Sequence, residues 1–189
     1  METIPPAVVA YEIIKDREAL EKQFGKIVRG MAYPMGTFSD EVVSVLKSCG
    51  IAYARTTKST EKFDLPADWL RLPATCHHKN PRLMELAETF VEKPPKTQPW
   101  LFYLWGHAYE FESNDNWNVI EEFTDYMSGR EDEIWYATNI EIYDYIEDYN
   151  RLIFSADGTI VKNPTARTLW FRLNGETRSV AAGETLTLD

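Results

Sequence analysis

Trp100-Leu101-Phe102-Tyr103-Leu104-Trp105 is an unbroken apolar run that follows Pro99 and stops at Gly106-His107. Six apolar residues between a proline and a glycine predict a buried strand of the kind that parallel sheets contain. Around it, apolar spacing alternates between helical and strand-like. Tyr11, Ile14, Leu20 and Phe24 predict a helix over Ala7 to Phe24, with Gly25 as its stop. Ile27 to Ala32 is β-prone, and Tyr33-Pro34-Met35-Gly36 is a turn signal. Thr37, with Asp40 three residues on, predicts the cap of a helix whose apolar face is Val42, Val43 and Leu46. Ile51 to Ala54 is the next strand.

Arg55 to Lys79, with Pro66 and Pro73, reads as a long loop, and such loops inside compact domains are usually functional or disordered. Asn80-Pro81 opens a helix with proline at its first position. Beyond His107, Trp117 to Met127 is a helix, Glu133 to Ala137 a strand and Asn139 to Tyr149 a helix. Strands alternating with helices predict an α/β chain with a parallel sheet. A closed barrel needs about eight strands. The ladder here has four and enters on a helix, which reads as part of a larger α/β domain. After Asn150 the pattern becomes short alternating runs split by Asp157-Gly158, Asn174-Gly175 and Gly183, a hairpin signature. The expected organisation is residues 1–149 as the α/β domain and 150–189 as a small antiparallel β appendage.

Composition narrows the function. The 189 residues carry 20 Lys plus Arg against 30 Asp plus Glu, a net charge of −10, with no basic cluster. Nucleic acid and polybasic membrane contacts are therefore not expected. No apolar run approaches the roughly 20 residues of a membrane span. Residues 1–10 lack the basic and apolar regions of a signal peptide, so the cytoplasm is the default expectation. Cys49 and Cys76 define neither a disulfide framework nor a metal site. Aromatics make up 13% of the chain. They either pack a core, which composition favours, or line a groove that stacks on sugar rings.

Four constellations can carry chemistry. His107 follows a strand end, where βα architectures place their sites, and is either a general acid or base or a structural imidazole. Glu110, one helical turn on, either orients His107 or is an exposed surface carboxylate. Tyr33-Pro34-Met35-Gly36 is either an ordinary turn or a rigid turn that aims the Met35 and Gly36 N–H groups at an oxyanion. Asp68-Trp69 is either a sugar-stacking wall or a loop anchor. His77-His78 lacks metal-ligand spacing, because adjacent side chains usually diverge, so surface or loop-packing histidines are expected. P-loop, dinucleotide, HExxH and GxSxG motifs are absent from the sequence.

Taken in order, Tyr33-Pro34-Met35-Gly36, Gly50-Ile51-Ala52-Tyr53-Ala54-Arg55-Thr56, Asp68-Trp69, Leu104-Trp105-Gly106-His107 and Ile134-Trp135-Tyr136-Ala137-Thr138 resemble the polysaccharide deacetylases of the NodB-homology type over roughly residues 10–150. The resemblance implies a distorted (β/α) barrel, here partial. It implies removal of acetyl groups from carbohydrate with a divalent metal, zinc, that polarises the acetyl carbonyl and activates water. It implies His107 as the acid that protonates the leaving group and Tyr33, Pro34 and Met35 as the oxyanion motif. Asp68 and Trp69 match the acidic and apolar wall, and Trp105 matches the lining of the acetyl pocket.

The chain departs from that pattern in three places. It has no Asp-Asp pair, its three histidines contain no His-x-x-x-His, and Met31 stands where the family has arginine, with Arg29 the nearest substitute. The base and the metal ligands of the family are thus missing. No cofactor is expected on this chain alone, and it reads as the C-terminal half of such an enzyme. Expected partners are carbohydrate, a second copy, or a complementary N-terminal half. The alternative is a metal-free carbohydrate-binding or interaction domain that reuses the tryptophan-rich groove.

Overall fold

The computed structural model describes residues 1–93, 95 and 98–188, and the chain falls into two compact units, Met1–Tyr136 and Ala137–Asp189. It is a mixed α/β protein with six α-helices and small sheets of two or three strands, none of them closed, among the described residues.

In the first unit, α1 (Pro6–Phe24) buries Val9 and Ile13 and ends where Gly25 turns left-handed, its N–H bonded to the Glu21 carbonyl at 2.9 Å. The helix α2 (Asp40–Ser48) is capped by Ser39, not Thr37, and Ser39 Oγ accepts the Val42 N–H at 3.2 Å. Thr37 stands three residues before the start of α2 and belongs to the preceding turn, its N–H bonded to the Pro34 carbonyl. Asp40 and Glu41 in the first turn of α2 complement the helix dipole. Val42, Val43 and Leu46 pack with Val9, Ile13, Tyr33, Ile51 and Ala54 in the first core cluster.

Strands β1 (Gly30–Ala32), β2 (Tyr53–Ser59) and β3 (Leu72–Ala74) pair in parallel in that order, and β4 (Cys76–His77) pairs in parallel with β5 (Leu104–Trp105). The expected loop 55–79 therefore holds most of β2, a helical turn at Trp69–Arg71, β3 and β4. Pro73 inside β3 hides that strand from a pattern reading.

The run at 100–105 is regular strand only in its last two residues. Thr75 explains why. Its N–H bonds to the Tyr103 carbonyl at 2.8 Å. Its hydroxyl accepts the Tyr103 N–H and donates to the Leu101 carbonyl. A side chain thus replaces ladder bonds, and the segment stays extended without a regular register. Its rings fill the second core cluster, where Phe63 lies 4.9 Å from Trp100 and Phe102 lies 5.4 Å from Phe123. These aromatics are core, as composition favoured.

Helix α3 (Leu83–Glu92) starts later than expected, because Asn80 Oδ1 accepts the Arg82 N–H and holds a turn around Pro81. A short helix that the pattern did not announce, α4 (Ala108–Asn114), follows His107, and α5 (Asn118–Met127) follows it. The expected strand at Glu133 to Ala137 is absent. The N–H groups of Glu133 and Ile134 close turns onto Arg130 instead, and Tyr136 donates its hydroxyl to the Met127 carbonyl.

In the second unit, α6 (Asn139–Tyr149) opens with a capping box between Thr138 and Glu141. Strands β6 (Ile153–Phe154), β7 (Ile160–Lys162) and β10 (Thr185–Thr187) form one antiparallel sheet, and β8 (Leu169–Leu173) and β9 (Glu176–Val180) form a hairpin. Asn174 and Gly175 both have positive φ, which the two-residue hairpin turn requires. Val161, Leu169, Phe171, Val180 and Leu188 are the core. The unit begins before α6, whereas the sequence reading divides the chain at 149/150. Tyr145 of α6 accepts the Trp170 N–H with its hydroxyl at 3.0 Å. Among the described residues no helix is long and apolar enough to cross a membrane.

Candidate functional site

The parallel pairing of β4 with β5 puts His77 opposite Trp105, and the pairing continues past the strand ends as the His78 N–H bonds to the Trp105 carbonyl at 2.9 Å. The His77 ring meets the Trp105 indole edge-on, with centroids 4.5 Å apart, and His107 lies 5.8 Å from the same indole. On the face of that indole sits the Arg55 guanidinium from β2, 4.2 Å from the ring centroid. His107 is the residue before α4, and Glu110 stands in the first turn of that helix.

Glu110 is the hub of the group. Its side chain is only 16% exposed. Oε1 accepts from the Lys79 ammonium at 2.9 Å. Oε2 faces three imidazoles: His78 Nε2 at 3.1 Å, His77 Nε2 at 3.3 Å and His107 Nδ1 at 3.7 Å. The carboxylate is thus neither an exposed surface group nor a hydrogen-bonded partner of His107 alone. Both Glu110 Oε2 and His78 Nε2 are buried and make no aligned hydrogen bond. Their 3.1 Å is contact distance with the ring N–H direction off the oxygen. Lys79 holds the Glu110 carboxyl below the usual carboxylate range. Burial pushes both His77 and His78 down, so they sit neutral near pH 7.

The adjacent histidines do not diverge. Their rings stack at 4.2 Å, and both point Nε2 at one oxygen. The Lys79 N–H donates to His77 Nδ1 at 3.2 Å, so neutral His77 carries its proton on Nε2, toward Glu110. His77, His107 and Glu110 have ligand-type atoms within 4.8 Å of one another. Zinc on His77 Nε2 would move that proton to Nδ1 and break the Lys79 N–H bond, and Lys79 occupies only Oε1 of Glu110. His77, His107 and Glu110 are thus the described side chains that could hold a divalent metal, with Glu110 Oε2 buried and making no hydrogen bond.

The other sequence candidates lie in structural roles. Tyr33 is 3% exposed, stacks on Phe38 at 4.6 Å and donates its hydroxyl to the Leu70 carbonyl at 2.7 Å. Burial pushes that hydroxyl up to about 12. Pro34 and Met35 form the helical turn, with Met35 at φ +57° and its side chain 94% exposed. The Gly36 N–H is taken by the Tyr33 carbonyl, so it is not free for an oxyanion. Asp68 caps the next turn through the Leu70 N–H at 2.9 Å and pairs with Arg71. It lines a cleft of about 270 Å³ with Asp64, Pro73 and Tyr103, and His107 does not line that cleft. Trp69 is half-buried at the start of the same turn. Of the expected set, His107 and Trp105 come together.

Their companions His77, His78, Arg55 and Glu110 were not singled out as one group by the sequence. The signal that can find them is the pairing of Cys76-His77 with Leu104-Trp105. No family model, no curated protein and no solved structure matches this chain.

Proposed function

We propose that the chain is a carbohydrate deacetylase-like domain, a partial (β/α) barrel of the NodB type, in which His107 is the proton donor to the leaving group. The observation that supports this most is the setting of His107. It stands at the exit of a parallel strand, 48% exposed, with Trp105 on one side and Tyr109 at 5.3 Å on the other. Nδ1 faces the Glu110 carboxylate, and no hydrogen bond to Nε2 is made among the described residues. An imidazole with one nitrogen 3.7 Å from a carboxylate and the other open, beside an aromatic wall, suits proton transfer to a bound sugar.

The Asp-Asp and His-x-x-x-His motifs of such enzymes are absent from the sequence, and His77, His107 and Glu110 are the described side chains that could hold a divalent metal, so these 189 residues are proposed to supply binding and acid functions without turnover alone. The metal would polarise the acetyl carbonyl and activate water. Trp105 stacks on the sugar, and Glu110 steadies the imidazole.

Nuclear magnetic resonance of the chain with N-acetylated chitotetraose tests the reading. The ring signals of Trp105 and His107 should move on titration, with no acetate released. Movement confined to the exposed Trp135 or Trp170, or no movement at all, overturns it. Acetate release that survives His107→Ala overturns the role of His107.

A further inference from the structure

Arg55 is a half-buried cation in β2. Arg17, Arg71, Arg82, Arg167 and Arg178 each pair with a carboxylate. Arg55 pairs with none among the described residues, although acids outnumber Lys plus Arg 30 to 20. Among the described residues it makes one hydrogen bond, from Nη1 to the Thr56 carbonyl at 3.3 Å, which leaves most of its five donors unassigned. Its Cζ lies over Trp105, 4.2 Å from the ring centroid, the same indole that meets His77 and His107.

The nearby carboxylate does not serve it. Glu110 is claimed by Lys79 and the imidazoles. Burying a guanidinium without a counter-charge is costly, and the cost is recovered when an anion arrives. A guanidinium held over an indole presents its donor fork to two oxygens of a carboxylate, sulfate or phosphate side by side.

We propose that Arg55 on its Trp105 ledge is an oxyanion-binding subsite next to His107, and that the carbohydrate this site takes carries an acidic group. This rests on the carbohydrate reading above and adds the charge of the substrate to it. The acidic group meets the guanidinium, and the imidazole of His107 is left to the neighbouring acetylated position.

Calorimetry of the full chain with two tetrasaccharides tests it: neutral N-acetylated chitotetraose, and a hyaluronan fragment that alternates glucuronate with N-acetylglucosamine. The acidic sugar should bind about tenfold tighter at low salt, and the advantage should shrink as salt rises. Arg55→Met should bring the ratio of the two affinities close to one, while Arg55→Lys keeps part of it. A sulfated chitotetraose in the same series separates carboxylate from sulfate recognition.

Equal affinities in the wild-type chain, or an acid preference that survives Arg55→Met in a variant with an unchanged far-ultraviolet spectrum, overturn the proposal. If neither sugar binds, the carbohydrate reading fails, and titration with sodium sulfate decides the subsite by itself. A saturable change in tryptophan emission that Arg55→Met abolishes supports an anion site, and no change overturns it.

Discussion

Gly106 lies directly beneath the imidazole of His78: a Cβ at position 106 would stand 1.7 Å from His78 Nδ1. The glycine is required by this close approach, because the His78 ring occupies the space that a side chain at 106 would fill. Gly106→Ala must either shift β5 or expel His78 from its place beside Glu110. The expected cost is that of overpacking, about 1–3 kcal/mol. Thermal unfolding measures it, and histidine ring signals report whether His78 has moved. An alanine variant with wild-type stability and unmoved ring signals would contradict the packing described.

Acid should weaken the first unit earlier than ordinary carboxylate protonation alone would. Burial lowers His77 and His78 below their usual value of 6.5. The unfolded chain therefore binds protons that the folded chain refuses, and stability is lost as pH falls through 6.5 toward the folded values. Glu110, lowered from 4.5, acts in the same direction further down: its contribution is present above 4.5 and lost as pH falls through its folded value. Melting temperatures at pH 7.5, 6.5 and 5.5 should decline in that order. His78→Gln should flatten the decline between 7.5 and 5.5, whatever it does to the absolute value.

Asn163 should matter to the second unit more than any surface residue there. It is fully buried, its Nδ2 donates to the carbonyls of Arg167, Val180 and Ala181, and its Oδ1 accepts from the N–H and hydroxyl of Thr165. Asn163→Ala leaves several buried groups without partners at about 1–3 kcal/mol each, so a loss of at least ~2 kcal/mol is expected. Hydrogen exchange of the amides of β7, β8 and β9 is the direct reading. Unchanged protection there would mean that the strands do not depend on this side chain.

Zinc should not bind stoichiometrically at the imidazole cluster. A cation there would displace the His77 Nε2 proton, break the Lys79 N–H bond to His77 Nδ1 and meet the charge of the Lys79 ammonium on the other Glu110 oxygen. Calorimetry with Zn²⁺ near pH 7 should show no sub-micromolar site. Tight one-to-one binding that His77→Ala or His107→Ala removes would show instead that the cluster rearranges into a ligand set.

Much of the fold is legible in the sequence, because it rests on local periodicity. The helices α1, α2, α3, α5 and α6, the Asn174-Gly175 turn and an extended segment before Gly106 all follow from residue order, although α1 exposes Tyr11, Ile14 and Phe24 of its expected stripe and buries Val9 and Ile13, and the segment before Gly106 is half-buried. Those are choices a segment makes with its neighbours in the chain, and they predict a mixed α/β protein with an antiparallel end. His107 and Trp105 stand out for the same reason, since a Gly-His after an apolar run is a local signal.

What tertiary structure decided is everything that depends on a partner far along the chain. Thr75 fixes the backbone of residues 101 and 103 with its hydroxyl, and so limits the apolar run to two residues of regular strand. Glu133 to Ala137 has strand-like residues, yet its N–H groups close a turn on Arg130. Glu110 looks like a surface carboxylate in the sequence. It becomes the centre of the site only when the pairing of β4 with β5 brings His77 and His78 from some 30 positions upstream to the start of α4. The physical reason is that burial and charge pairing are properties of space. A carboxylate's role is set by which imidazoles and ammonium group surround it, and no spacing rule in one dimension contains that information.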